Sequence, residues 1–349
     1  MSETKIEWTH APWGRGMVWN FVRGCHAMST GCANCWAPRQ AIRQAGPGGA
    51  YEGLLATACS QPRWNGRARF VPEKLADPLR WRDPRTVFCV SMGDPFHHDI
   101  TDAQIAAAFG VMAACPQHMF LLLTKRAERL QKLMTWLGTQ TVGALFTAAA
   151  DEGTEVGALN GITWPLPNVG IGVSIENQAT ADERIPLLLD TPASVRWVSA
   201  EPLLERIWFG KACHSEWLTG CDPDCSLHDS TTTMPIACIE SRRGNKMDPR
   251  CHTSLDWVVV GGESGPNARR CDMGWIRHVV QQCDRSGTPV FVKQLGAHPI
   301  IDGPSDAINM KGKDGALWPG GRFMKSRKGS DPDEWPSDLR VRQFPEVTT

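Results

Sequence analysis

Six short apolar runs, separated by helix-forming sequence, constrain the fold more than any other feature of the chain. They are TVFCVSM (Thr86 to Met92), HMFLLLTK (His118 to Lys125), NVGIGVSI (Asn168 to Ile175), VRWVSAEPLL (Val195 to Leu204), LDWVVVGG (Leu255 to Gly262) and TPVFVKQLG (Thr288 to Gly296). Continuous β-branched and leucine-rich runs suit strands buried on both faces, the environment of a parallel sheet. Between them lie TDAQIAAAFGVMAAC, with Thr101 as its expected N-cap, KRAERLQKLMTWL, and MGWIRHVVQQCDRSG, which Gly287 is placed to terminate. Alternating strands and helices predict an α/β fold with right-handed crossovers. With one further strand leading into a cysteine loop, the pattern predicts a complete or partial TIM-like (β/α) barrel, with a doubly wound open sheet as the alternative. The barrel is assigned to residues 1–209 and 255–300, with a Cys/His-rich insertion at 210–254 and a wrapping tail at 301–349. A chain of 349 residues is long enough to bury such a core.

In a parallel barrel, functional side chains gather at the C-terminal ends of strands. Each run here ends in polar sequence: Ser91, Asp94, His97, His98 and Asp99; Thr124, Lys125 and Arg126; Ser174, Glu176 and Asn177; Ser199 and Glu201; Glu263 and Ser264; Lys293 and Gln294. Asp94, Lys125, Glu176, Glu201 and Glu263 are therefore expected to converge on one rim. A ring of structural ion pairs is the alternative to a polar cavity.

The stretch VRGCHAMSTGCANCWAPRQA, from Val22 to Ala41, sets Cys25, Cys32 and Cys35 in a C-x6-C-x2-C spacing. Thirteen cysteines behind an N-terminus that is not a signal peptide point to a reducing, cytoplasmic setting, where clustered cysteines hold metal or do chemistry. A structural zinc takes four ligands. Three thiolates leave a position open, and soft sulfur ligands favour an iron–sulfur cluster. Zinc completed by His26 or a distant cysteine is the alternative. In the insertion, Cys213, Cys221, Cys225, Cys238 and Cys251, with His214, His228 and His252, predict a second metal site, most simply zinc shared by Cys221 and Cys225. A loop of free thiols is the alternative there. No run of about 18 apolar residues is present, so no membrane-spanning helix is expected. Zero net charge excludes a basic field over the whole surface but not a local patch. Five arginines between Arg63 and Arg82, interleaved with Trp64, Phe70 and Trp81, form such a patch. This composition serves nucleic acid by phosphate contact and stacking, or else is a solvated face over buried tryptophans.

Three clustered cysteines after the first strand of a (β/α) barrel resemble the radical S-adenosylmethionine superfamily. SMGDPFH, LLTKRAERL and GVSIENQATADERIPLL resemble its spore-photoproduct-lyase-like branch. Over nearly its full length outside the insertion, the chain also resembles a phage and prophage family of three-cysteine-motif proteins. KIEWTHAPW, GCHAMSTGCANCW, WVVVGGESGPNAR, FVKQLG and WPSDLRVRQFP carry that likeness. Two features depart from the superfamily. Its usual C-x3-C-x2-C has a longer first gap here, and the aromatic residue before its third cysteine is Asn34. A GGE element usually follows the second strand, whereas Gly261-Gly262-Glu263 follows a later one, so that role is not transferred to Glu263.

The resemblance implies that Cys25, Cys32 and Cys35 ligate a [4Fe–4S] cluster. It implies S-adenosylmethionine on the fourth iron, and a one-electron donor such as flavodoxin or ferredoxin. Reductive cleavage would give a 5′-deoxyadenosyl radical for hydrogen abstraction. On this reading Ser91 and Asp94 lie near the methionine amino group, and Ser174, Glu176 and Asn177 near the ribose. Arg184 pairs with the methionine carboxylate, unless it forms a helix-surface ion pair with Asp182 or Glu183. Lys125, His97, Glu201 and Lys293 face substrate. The resemblance to a branch that acts on DNA makes nucleic acid a candidate substrate, which the sequence itself does not name, and a phage-encoded member would work in the host cytoplasm. The competing expectation is a non-catalytic, zinc-stabilised nucleic-acid-binding module.

Overall fold

The computed structural model describes residues 3–56, 61–157, 162–210, 216–219, 253–300 and 324–347. Seven strands form one sheet: β1 (Arg15–Trp19), β2 (Arg85–Cys89), β3 (Met119–Thr124), β4 (Val169–Ile175), β5 (Val195–Ala200), β6 (Trp257–Gly261) and β7 (Val290–Gln294). They lie side by side in chain order, and every neighbouring pair is parallel. A doubly wound sheet reverses its order at a switch point. This order never reverses, so the doubly wound alternative is set aside.

The sheet is curled. Trp8, in the turn before β1, lies 4.8 Å from the Phe88 ring on β2, 5.1 Å from Trp197 on β5 and 6.1 Å from Trp257 on β6. In a flat sheet, strands four places apart are separated by about 19 Å. One indole reaches both only if the sheet wraps around it. Met119, Leu121, Val195, Trp197, Val259 and Phe291 join Trp8 on the concave face. Glycine makes the room, since a Cβ at Gly172 would lie 2.5 Å from the Trp197 ring. On the convex face, Val87, Phe120, Leu122, Ile171, Val173, Val198 and Val260 pack into the helix-facing core.

The barrel is partial, because β1 and β7 do not pair with each other. Chain-end segments line the gap instead. Thr4 N–H donates to Gly16 O at 3.1 Å, and the Glu7–Thr9 turn touches β1, β2 and β7. Val292 N–H donates to Val341 O, and Gln343 N–H to Val290 O, both at 2.9 Å. The tail therefore pairs with the β7 edge and inserts Trp335 and Leu339 into the core, as well as lying on the outside.

Helices α1 (Asp102–Ala113), α2 (Ala127–Leu137), α3 (Val142–Asp151), α4 (Gln178–Leu189) and α5 (Met273–Ser286) fill the crossovers. Thr101 caps α1 with a full capping box, and Gly287 ends α5 at φ 70°. An excursion between β1 and β2 carries the cysteine loop. In it, Val22–Gly24 pairs antiparallel with Ala68–Phe70, and Leu55–Ala56 with Arg63–Trp64. Ala37, Ala41, Tyr51, Leu54 and Met92 form its own small core. Among the described residues no helix is long and apolar enough to cross a membrane. Cys213, Cys221, Cys225, Cys238 and Cys251, with His214, His228 and His252, lie outside the described residues, as do 301–323.

Candidate functional site at the C-terminal rim

The strand ends meet under the cysteine loop. From the end of β4, Glu176 accepts a hydrogen bond from Ser29 Oγ at 2.6 Å, and a Cβ on Gly31 would overlap its carboxylate. From the end of β6, Glu263 accepts from Asn34 Nδ2 at 3.0 Å. Arg269 grips the same carboxylate with two nitrogens, at 2.7 and 3.0 Å, and donates to Thr30 O at 2.9 Å. From the ends of β2 and β3, Asp94 and Arg126 form an ion pair at 2.7 Å, and Arg126 Nη2 reaches His26 Nδ1 at 3.0 Å. Four strands thus hold the eleven residues that contain Cys25, Cys32 and Cys35. Ser29, Asn34 and Arg269 were not recognised in the sequence. Neutral or isolated residues in loops carry no periodic signal, and the partners through which they join loop to rim are over a hundred positions away, Glu176 for Ser29, Glu263 for Asn34 and Thr30 for Arg269.

Glu176 is wholly buried and ion-paired with both Lys125 and Arg184. Burial alone would raise its pKa, but Lys125, Ser29 and Arg184 outweigh it, and the carboxyl is held below its ordinary value. Glu263 follows the same pattern, with burial overcome chiefly by Arg269. Arg184 is buried, not on the helix surface as the Asp182 or Glu183 pairing required. It donates to Ser174 O at 2.6 Å as well as facing Glu176. Asn177 is the N-cap of α4, its side chain taken up by Thr180. Lys125 also donates to Ser174 Oγ at 2.8 Å, and Ser174 Oγ donates to Glu201 O at 3.1 Å. Lys293 pairs with Glu201 at 3.0 Å. Lys125, Lys293 and Glu201 are part-exposed at the rim, Lys125 neutralised by Glu176 and Lys293 by Glu201.

Asp94 is buried and fully engaged by Thr124 Oγ1, Phe96 N–H and Arg126. Ser91 Oγ donates to Asn20 Oδ1 at 3.3 Å. Just before Ser91, Val90 sits at φ 61°. A β-branched residue there is strained, and such strain gathers at functional sites.

His26, His97 and His98 each bring a ring nitrogen within 4.8 Å of the other two, the spacing of a candidate metal site. Their hydrogen bonds argue against it. Asp99 N–H donates to His97 Nδ1 at 3.2 Å, which puts the His97 proton on Nε2. That proton faces His26 Nδ1 at 3.0 Å, which also receives Arg126. Both lone pairs are spent, and a guanidinium stands beside them. His97 is fully enclosed and kept neutral, its pKa pushed down to about 4 by burial, Arg126 and His98. It meets the rim through His26 and does not itself face an opening.

The three cysteines are half-buried free thiols. Cys25 is pushed up to about 12 by burial first and then by Asp94, only partly countered by Arg126. Cys32 and Cys35 add to that rise, so the three sulfurs feel one another. Burial likewise raises Cys35. Without a cation Cys25 and Cys35 stay protonated; a metal would draw the protons off. The three sulfurs are not among the groups drawn together within 4.8 Å. Sulfurs around one zinc ion, at Zn–S of about 2.3 Å, lie closer than that. Around the loop, Met28, Trp36 and Ile42 are exposed.

These features define a class: an α/β protein with a parallel half-barrel and a tri-cysteine loop clasped over its C-terminal rim. The chain belongs to the family DUF5131, proteins of unknown function, whose family model matches residues 3–329. Neither a curated protein nor a solved structure matches it.

Proposed function

We propose that this protein is a radical S-adenosylmethionine-type iron–sulfur enzyme. One observation carries the reading. Glu176 and Glu263 clasp the cysteine loop, through Ser29 and Asn34, over the rim where parallel barrels do their chemistry. The donor set suits the group: three soft thiols on one loop, with no fourth ligand grouped with them among the described residues. Cys25, Cys32 and Cys35 would hold three irons of a [4Fe–4S] cluster, leaving the fourth for S-adenosylmethionine. When bound, that pair supplies a 5′-deoxyadenosyl radical, after one electron from a flavodoxin- or ferredoxin-type donor.

The chain's own residues bind, orient and exclude water. Asp94 fixes Arg126 as a permanent cation beside His26 and the neighbouring Cys25. Ser91 and Ser174 are the proposed S-adenosylmethionine contacts. Asn177 acts by capping α4, and Arg184 by fixing Glu176. Lys125, Lys293 and Glu201 face substrate as paired charges, and His97 holds the tautomer of His26. Nucleic acid is the proposed substrate class, since residues 20–71 carry six arginines against one acid, Glu52, in a chain of zero net charge. That imbalance also favours the second reading, a zinc-stabilised nucleic-acid-binding module without catalysis.

Anaerobic purification with iron, sulfide and zinc assay separates the two. The enzyme reading expects brown protein with about four irons per chain, lost in Cys32→Ala while the fold remains soluble. Colourless protein with zinc alone, or full iron in Cys32→Ala, overturns it.

A further inference from the structure

At the opposite end of the sheet, a cavity of about 360 Å³ opens at the start of β1 and β2, bordered by Glu3, Arg15, Met17, Trp81 and Arg85. Arg15 and Arg85 begin their strands and are register partners. Like charges placed side by side on neighbouring strands repel. Among the described residues nothing offsets Arg15, which has no ion pair or hydrogen bond. Arg85 reaches only the exposed Asp83, at 3.3 Å, through Nη2. Glu3 pairs with His10, at 3.7 Å, and forms no ion pair with either arginine. The buried Nε of Arg85 and Nε1 of Trp81 have no acceptor. A buried donor without a partner costs free energy that a bound acceptor would restore.

We propose that this cavity binds an organic phosphate monoester. Three donor-bearing side chains, Arg15, Arg85 and Trp81, border one space. A tetrahedral phosphate offers an oxygen to each, whereas a carboxylate has only two, and guanidinium forks match phosphate geometry. The volume equals that of about twelve waters, more than a bare phosphate fills, and Met17 and the Trp81 ring wall the remainder with apolar surface. This site is remote from the cysteine rim and does not rest on the radical reading.

The test is a titration of protein carrying 15N-labelled tryptophan, with the Trp81 indole signal assigned by Trp81→Phe. Phenyl phosphate should shift that signal saturably. Inorganic phosphate and benzoate should bind more weakly, and phenol should not bind. Arg15→Gln alters an exposed, unpaired side chain and should leave the fold intact while weakening phenyl phosphate by roughly tenfold. Glu3→Gln should tighten it. Absence of a saturable shift, equal binding of phenol, or unchanged affinity in Arg15→Gln overturns the site. Benzoate binding as tightly as phenyl phosphate overturns the phosphate assignment.

Discussion

Gly31 faces a carboxylate that cannot retreat, since Lys125 and Arg184 pin Glu176 from behind. Gly31→Ala should therefore push the cysteine loop off the rim. The expected cost is about 1–3 kcal/mol of stability, as for other overpacked sites. Iron content should fall to less than half, and full iron with unchanged stability would remove the clasp from the argument. His278 gives a pH prediction. Burial first, then Arg206 and Arg285, push its pKa from 6.5 down to about 4. Its buried Nε2 has no hydrogen-bond partner. Between these values the unfolded chain binds the extra proton and the folded one does not. Stability is thus complete above about pH 6.5 and declines as pH falls toward 4. Denaturant midpoints across that window should drop with acid, and less so in His278→Gln. At this scale little was legible in advance. Glu176 and Lys125 were read from their place at strand ends. The inward turn of Arg184 was read only as one of two possibilities, because its neighbours Asp182 and Glu183 offered an equally good surface pairing, and its pairing with Glu176 was not read.

Elements were read more fully than single residues. Each apolar run became a strand because a sheet covered on both faces favours apolar side chains along its length, and every residue of β4 is buried. α1 and α5 were marked by their caps, Thr101 and Gly287. α3 was not read. Its sequence, VGALFTAAAD, is small and weakly amphipathic, and only Thr141, whose Oγ1 accepts from Ala144 N–H, marks its start. The curl of the sheet was equally hidden, since strand sequences fix burial but not whether edges meet. The capping box on α1 supplies a control for the rim variants. Thr101→Ala should lower stability by about 1 kcal/mol and leave iron content unchanged, because α1 lies behind the sheet and carries none of the loop's three cysteines. Loss of iron in that variant would mean that metal loading reports global stability rather than the loop.

For the molecule as a whole, the concave face depends on one side chain near each end of the sequence. Trp8 fills the centre, and Phe344 stacks against Trp257 at 5.7 Å and Trp13 at 5.9 Å. Trp8→Ala should cost about 3–5 kcal/mol, the range for deleting a buried aromatic, measurable by urea unfolding. A loss under 1 kcal/mol would show that the sheet keeps its curvature unaided. The seam between β1 and β7 has a consequence in time as well as in space. During synthesis Trp8 leaves the ribosome more than three hundred residues before Phe344, and neither shields the interior alone. Until Phe344 emerges, a row of tryptophans lies open on a half-wrapped sheet. This is a state in which a nascent protein needs chaperone cover, and from which it reaches its final form late and all at once.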